Sequence, residues 1–261
     1  MKYFLYLSLL LMMACNNEEG TQTNESLPSK EKQLTDAVKQ YPDSVIMVEN
    51  LAQYYRENEA YEQALLTINQ AIKRDSSIAK YWHMKGILHY ENADTVQAIA
   101  SLETSIRLSK NLTDLLLLAK IYAETKNPLT ITLCDDFIKQ NEFVKEAIFI
   151  KGLYFRNIHE NEKAFSYFDE AIAAGYTFME PYIEKAKLLY DQGKYMDALL
   201  VLDKALKVNN SYAEGYYHMG RCFEKLDRLA DAKESYETTL IYNSDYQEAR
   251  EALAALEKKL P

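Results

Sequence analysis

Residues 162–171 read EKAFSYFDEA, in which Ala164 and Ala171 flank a bulky residue, Phe168. The three stand at i, i+4 and i+7, so they share one face of a helix. That face recurs along the chain. Ala64, Ala98, Ala164, Ala198 and Ala232 form one series, interrupted only by Ile131, and Ala71, Ser105, Ile138, Ala171, Ala205 and Thr239 form another. Between them stand Ile68, Leu102, Phe168, Leu202 and Tyr236, with Asp135 in the odd member. Upstream lies a third set, Ala52, Gly86, Ala119, Gly152, Ala186 and Gly220, spaced by 34, 33, 33, 34 and 34 residues. Small residues in one fixed phase at a period near 34 mark a repeated helix–turn–helix unit.

The pattern has a mechanical reading. A small residue at position 8 of the first helix faces one at position 20 of the second where the helices cross, and the bulky residue at position 24 fills the adjoining groove. One such pair cannot bury its apolar stripe alone, so neighbours must stack. In the third unit Asn127-Pro128 occupies the turn, and Ile131 and Asp135 replace the small and bulky residues. A distorted pair and a bend in the stack are expected there.

Trp82 with Gly86 four residues on, and Glu162 to Ala171, together resemble the signature of the tetratricopeptide repeat. Asn58 to Leu65 and Gln192 to Leu199 are similar to the family's turn and second-helix start. The resemblance implies an all-α fold, a right-handed superhelical solenoid of stacked helix–turn–helix units. Its expected parts are an N-terminal half-repeat helix in residues 29–44, six units over 45–246 and a capping helix in 247–261. Past Pro42 the family's proline near the repeat end is mostly missing, and Ser76, Lys110, Asn210 and Ser244 stand there. Serine and asparagine can also end one helix and cap the next.

Composition agrees with helices. The 261 residues include only 7 glycines and 5 prolines but 21 tyrosines, too little turn chemistry for a β-rich fold. The formal charge of -9 lacks the basic footprint that phosphate backbones require, which argues against nucleic acid. Cys134 and Cys222 have no metal or redox spacing and read as small apolar residues inside helices.

The N-terminus reads as an export signal. Lys2 precedes an apolar run from Tyr3 to Met13, and Ala14 precedes Cys15. That run is too short to span a bilayer, which needs about 20 residues. Leu11-Met12-Met13-Ala14-Cys15 resembles the lipobox of bacterial lipoproteins, with Met12 and Met13 departing from it. The alternative is an ordinary secretory signal with a chance cysteine. Under the lipobox reading residues 1–14 are a signal peptide, Cys15 is lipidated, and 15–28 form a polar tether. An outer-membrane lipoprotein on the periplasmic face is expected, held to the membrane through its N-terminal acyl chains.

No catalytic constellation stands out. The four histidines, His83, His89, His159 and His218, are not placed at i and i+4, and phosphate-cradling glycine loops and nucleophile elbows are missing. The expectation is a non-enzyme without metal or cofactor, working through a surface. The resemblance implies a concave groove lined by the first helices. Carried onto this chain, it assigns Arg56, His83, Tyr90, Lys120, Phe149, Arg156, Lys187, Tyr190, Tyr217 and Arg221, with Gln53, Ile87, Leu116, Leu153, Ile183 and Glu224 beside them. Arginine and aromatic residues dominate binding hot spots, so the expected ligand is a protein or peptide of the cell envelope carrying apolar anchors and carboxylates. The family's clamp for chaperone tails is absent, because Glu49 and Gln53 occupy its positions in the first unit. A second class stays open, a surface-displayed module for glycan or nutrient handling with tyrosines as sugar platforms.

Overall fold

The computed structural model describes residues 29–258, which form fourteen α-helices and no strand. After α1 (Lys30–Gln40) come six pairs: α2 (Val45–Glu57) with α3 (Tyr61–Arg74), α4 (Ala79–Glu91) with α5 (Thr95–Leu108), α6 (Leu112–Glu124) with α7 (Leu129–Lys139), α8 (Val144–Asn157) with α9 (Asn161–Ala174), α10 (Glu180–Asp191) with α11 (Tyr195–Val208), and α12 (Ala213–Lys225) with α13 (Leu229–Tyr242). The last helix, α14 (Gln247–Glu257), lies against α13, and α1 lies against α2. Each second helix also packs on the first helix of the next pair, giving a continuous stack. First helices of neighbouring units meet directly at α2/α4, α6/α8, α8/α10 and α10/α12, whereas second helices do not pack comparably. The stack therefore curves toward its first helices, which form the inner wall.

Two loop types repeat with the units. Inside each pair one residue takes a left-handed conformation: Glu59, Ala93, Lys126, His159, Gly193 and Asp227, with φ from 56° to 74°. Only Gly193 is free of the side-chain penalty, about 1–2 kcal/mol for other residues. The turn offsets that strain with backbone bonds that span it, such as Ala60 N to Tyr55 O at 2.8 Å and Asn127 N to Tyr122 O at 2.7 Å.

Between units, Asp75, Asn209 and Asn243 accept the N–H two residues on, at 2.8, 3.2 and 3.1 Å. Trp82, Tyr182 and Tyr216, each at position 4 of its unit, reach back six residues to the carbonyls of Ser76, Tyr176 and Asn210. Side-chain turns and aromatic ties thus hold the loop that proline stiffens elsewhere in the family pattern. The capping residues stand one position before Ser76, Asn210 and Ser244.

The core is the docking seam. Ile68, Leu102, Phe168, Leu202 and Tyr236 are fully buried, each contributing about 1.5–3 kcal/mol of apolar burial. Gly86, Gly152 and Gly220 lie against Leu102, Phe168 and Tyr236, where a Cβ would stand 2.7, 2.6 and 2.5 Å from the nearest atom. The glycine pairs α4/α5, α8/α9 and α12/α13 are in closer backbone contact than the alanine pairs α2/α3, α6/α7 and α10/α11. Position 8 therefore sets the approach of each pair, and tight and looser pairs alternate along the stack.

The third unit corrects one expectation. Ile131 and Asp135 do not occupy the seam; Thr130, Cys134 and Phe137 do, and Asp135 is exposed. The turn has its usual length, so the cause is rotation. Thr130 N bonds to Asn127 O and Ile131 N to Pro128 O, three-residue bonds where the regular units have four-residue ones such as Ala64 N to Ala60 O. Asn127 also accepts from Leu129 N at 3.0 Å. Winding the first turn this tightly advances α7 by about one residue, roughly 100° about its axis. A small residue and a medium one, Thr130 and Cys134, thereby regain the seam. The α6/α7 pair is nonetheless the loosest, and α6 instead packs extensively on α8.

Candidate functional site

All ten residues assigned to the groove lie on first helices and are half-buried. Five of them line two cavities, and Tyr90, Lys187, Tyr190, Tyr217 and Arg221 line neither. Arg56 and His83 line a small one of about 110 Å³ with Glu49, Gln53 and Ile87, between α2 and α4. Lys120, Phe149 and Arg156 line a larger one of about 270 Å³, together with Glu124, Leu153, Asn157, Glu180, Ile183, Glu184 and Glu214. Its walls come from α6, α8, α10 and α12, so four consecutive units build it. Leu153 and Ile183 are buried beneath it as an apolar floor. Phe149 stands beside them, held by Phe168 at 5.9 Å and Phe178 at 5.2 Å between ring centroids.

The cations of the wall are mostly engaged. Arg56 makes a two-pronged contact with Glu91, at 2.7 and 2.5 Å, and a third bond to Gln53. Glu91 holds its guanidinium above the usual arginine value. Arg156 pairs with Glu184, which also takes Lys187 at 2.8 Å. Burial pushes both Arg156 and Lys187 below their ordinary values, and for Lys187 the nearby Arg156 and Arg221 act the same way. Two cations rest on aromatic faces instead: Lys120 over Tyr90 at 5.6 Å, and Arg221 over Tyr190 at 4.4 Å and Tyr217 at 5.9 Å. Tyr90 donates to Glu124 at 2.7 Å, and burial raises its hydroxyl well above the usual value.

His83 is tied to the frame. Its Nδ1 donates to Asp114 Oδ1 at 2.5 Å, and Asp114 is fully buried in α6. A buried carboxylate needs such a partner, so His83 joins the second unit to the third and presents its remaining edge to the small cavity.

The carboxylates are what the sequence pattern missed. Glu91, Glu124, Glu180, Glu184 and Glu214 share the inner wall with the basic residues. The lining of the larger cavity holds four carboxylates against Lys120 and Arg156, so the wall is not the basic surface expected for an acidic ligand. One signal was present in the sequence: Arg56 and Glu91, and Tyr90 and Glu124, are one repeat period apart, the spacing at which neighbouring first helices meet. The abundant tyrosines mostly serve packing; Tyr81, Tyr122, Tyr182 and Tyr236 are buried. Cys134 and Cys222 are buried too, their thiols pushed up to about 12 and about 11, which leaves them protonated and inert at neutral pH. Among the described residues, three or more His, Cys, Asp or Glu do not gather as a metal would require.

Comparison with known proteins agrees with this architecture. Two family models match, one described as tetratricopeptide repeat over residues 31–79 and one as TPR repeat over residues 186–227. Among solved structures, a tetratricopeptide repeat protein from Parabacteroides merdae is 16% identical with a TM-score of 0.70, the match covering 87% of this chain and 91% of that one. PilW, a widely conserved type IV pilus biogenesis factor, is 18% identical with a TM-score of 0.59, covering 80% and 96%. The C-terminal part of a TPR repeat-containing protein from Cytophaga hutchinsonii is 19% identical with a TM-score of 0.50, covering 75% and 79%. No curated protein matches the sequence. The chain thus contains tetratricopeptide repeats and has the fold of a tetratricopeptide solenoid, a class that serves as scaffolds for protein interaction and is typically non-catalytic.

Proposed function

We propose that this protein is a non-catalytic interaction scaffold, anchored to the bacterial outer membrane by lipidation of Cys15, that holds a segment of another envelope protein along its inner wall. The observation that carries the binding half is the cavity spanning α6 to α12, with an apolar floor of Leu153 and Ile183, the Phe149 ring and a charged rim. A site assembled by four units suits an extended chain segment better than a small molecule. The N-terminal run from Tyr3 to Met13, followed by Ala14 and Cys15, supports an envelope setting. Cys15 lies outside the described residues, and among the described ones no helix is long and apolar enough to cross a membrane. Attachment therefore rests, in this reading, on the acylated cysteine, which raises the local concentration of the scaffold near its partner.

Two measurements on the full-length protein test it. Metabolic labelling with a clickable fatty acid should mark the parent and not Cys15→Ser, which should leave the membrane fraction. A photo-crosslinking side chain placed at Tyr190 in intact membranes should give one dominant adduct with an envelope protein, diminished by Phe149→Ala. An unlabelled parent removes the anchor; an absence of adducts from the inner wall removes the scaffold.

A further inference from the structure

The larger cavity carries a charge imbalance that bears on what it binds. Its lining has two cations, Lys120 and Arg156, and four carboxylates, Glu124, Glu180, Glu184 and Glu214. Arg156 is answered by Glu184 within the wall, and Glu184 also takes Lys187, which does not line the cavity. Lys120 is drawn over the Tyr90 ring. In direct contact the other three carboxylates are met only by hydroxyl and imidazole groups, or by nothing, while Arg156 acts on Glu124 and Lys187 on Glu214 through space. Glu180 is exposed at the start of α10, with no hydrogen bond or ion pair among the described residues. Glu124 accepts one bond, from Tyr90. Glu214 accepts from Tyr212 at 2.8 Å and leans on His218 at 3.7 Å. A carboxylate offers about four lone-pair sites, so each retains acceptors for an incoming donor.

Resting on the scaffold reading, we propose that the partner segment is cationic: it sets an apolar side chain on Phe149, Leu153 and Ile183 and directs flanking lysine or arginine side chains to Glu124, Glu180 and Glu214. The reason is complementarity. An anionic segment would meet a lining with four carboxylates against two cations, whereas a cationic one evens that balance. Arg221 and Lys187 stand outside the lining of the cavity, Arg221 over Tyr190 and Tyr217 and Lys187 against Glu184.

The test uses the full chain and two fluorescent blocked peptides with the same leucine and phenylalanine anchors, one with flanking lysines and one with flanking glutamates. The lysine peptide should bind roughly tenfold or more tightly at low salt, with the difference shrinking as salt rises. Glu124→Gln with Glu180→Gln should erase most of that preference. The control Glu62→Gln with Glu162→Gln, which changes net charge equally on second helices, should leave it intact. Tighter binding of the glutamate peptide, lost in Phe149→Ala, would overturn the charge inference while keeping the groove. Equal loss in the control pair would also overturn it, as a bulk charge effect. Binding of neither peptide would overturn both readings.

Discussion

A Cβ placed on Gly152 would stand 2.6 Å from both Cδ1 and Cε1 of Phe168, so the ring rests on the glycine backbone. Real Cβ contacts are never that short, and the pair α8/α9 would have to part. Gly152→Ala is expected to cost about 1–3 kcal/mol by overpacking. Ala186 and Leu202 share the equivalent seam in the fifth unit, which indicates the remedy. Adding Phe168→Leu should recover part of the loss, so that the double variant is more stable than the sum of the singles predicts, read by urea denaturation.

The rotated helix α7 makes an ordered prediction. Thr130 is fully buried in the seam and Ile131 is not. Thr130→Leu should therefore cost about 1–3 kcal/mol, and Ile131→Leu less than about 1.5 kcal/mol. The reverse ranking in thermal melts would place Ile131 back in the seam.

The Arg56–Glu91 contact joins the first two units across their inner wall, with side chains 36% and 28% exposed. Partial exposure limits its worth. A double-mutant cycle with Arg56→Gln and Glu91→Gln should give a coupling of about 0.5–1 kcal/mol that falls as salt is raised. A coupling of zero would mean that the contact has no energetic consequence.

Glu214 supplies a pH signature. The polar contact with His218 at 3.7 Å, and then the hydrogen bond from Tyr212, hold its carboxyl below the ordinary value of 4.5 against the opposing effect of burial. A carboxyl depressed on folding contributes stability that is complete above 4.5 and is lost as pH falls through the lower folded value. Glu214→Gln should thus be less stable than the parent at neutral pH, with the gap closing on acidification. A gap that stays constant to the acid limit would remove the linkage.

Much of the fold was legible because its determinants are local and periodic. The small residues from Ala52 to Gly220 fix where two helices touch, and no distant contact is needed to read them. The third unit was misread because Ile131 and Asp135 align with their counterparts by count from the turn. Only the bonds to Asn127 and Pro128 reveal that the helix begins tightly wound and is turned about its axis. In the groove, the positions of Arg56, Lys120 and Arg156 follow from helix periodicity, but their electrostatic state does not. Glu91 and Glu184 reach Arg56 and Arg156 from the next unit, and the Tyr90 ring meets Lys120 from the preceding one, which a list of one residue type per position has no place for.

The sequence by itself determined the period, the helical pairs and, in every unit but the third, which residues form the docking seam, since each depends on spacing within about one repeat length. Only the tertiary structure decided how α7 is rotated, which cations are already neutralised, and that Glu124, Glu180 and Glu214 meet in one cavity. The physical reason is range: apolar periodicity is written along a single helix, whereas charge pairing depends on how closely successive helices approach across the inner curve of the stack.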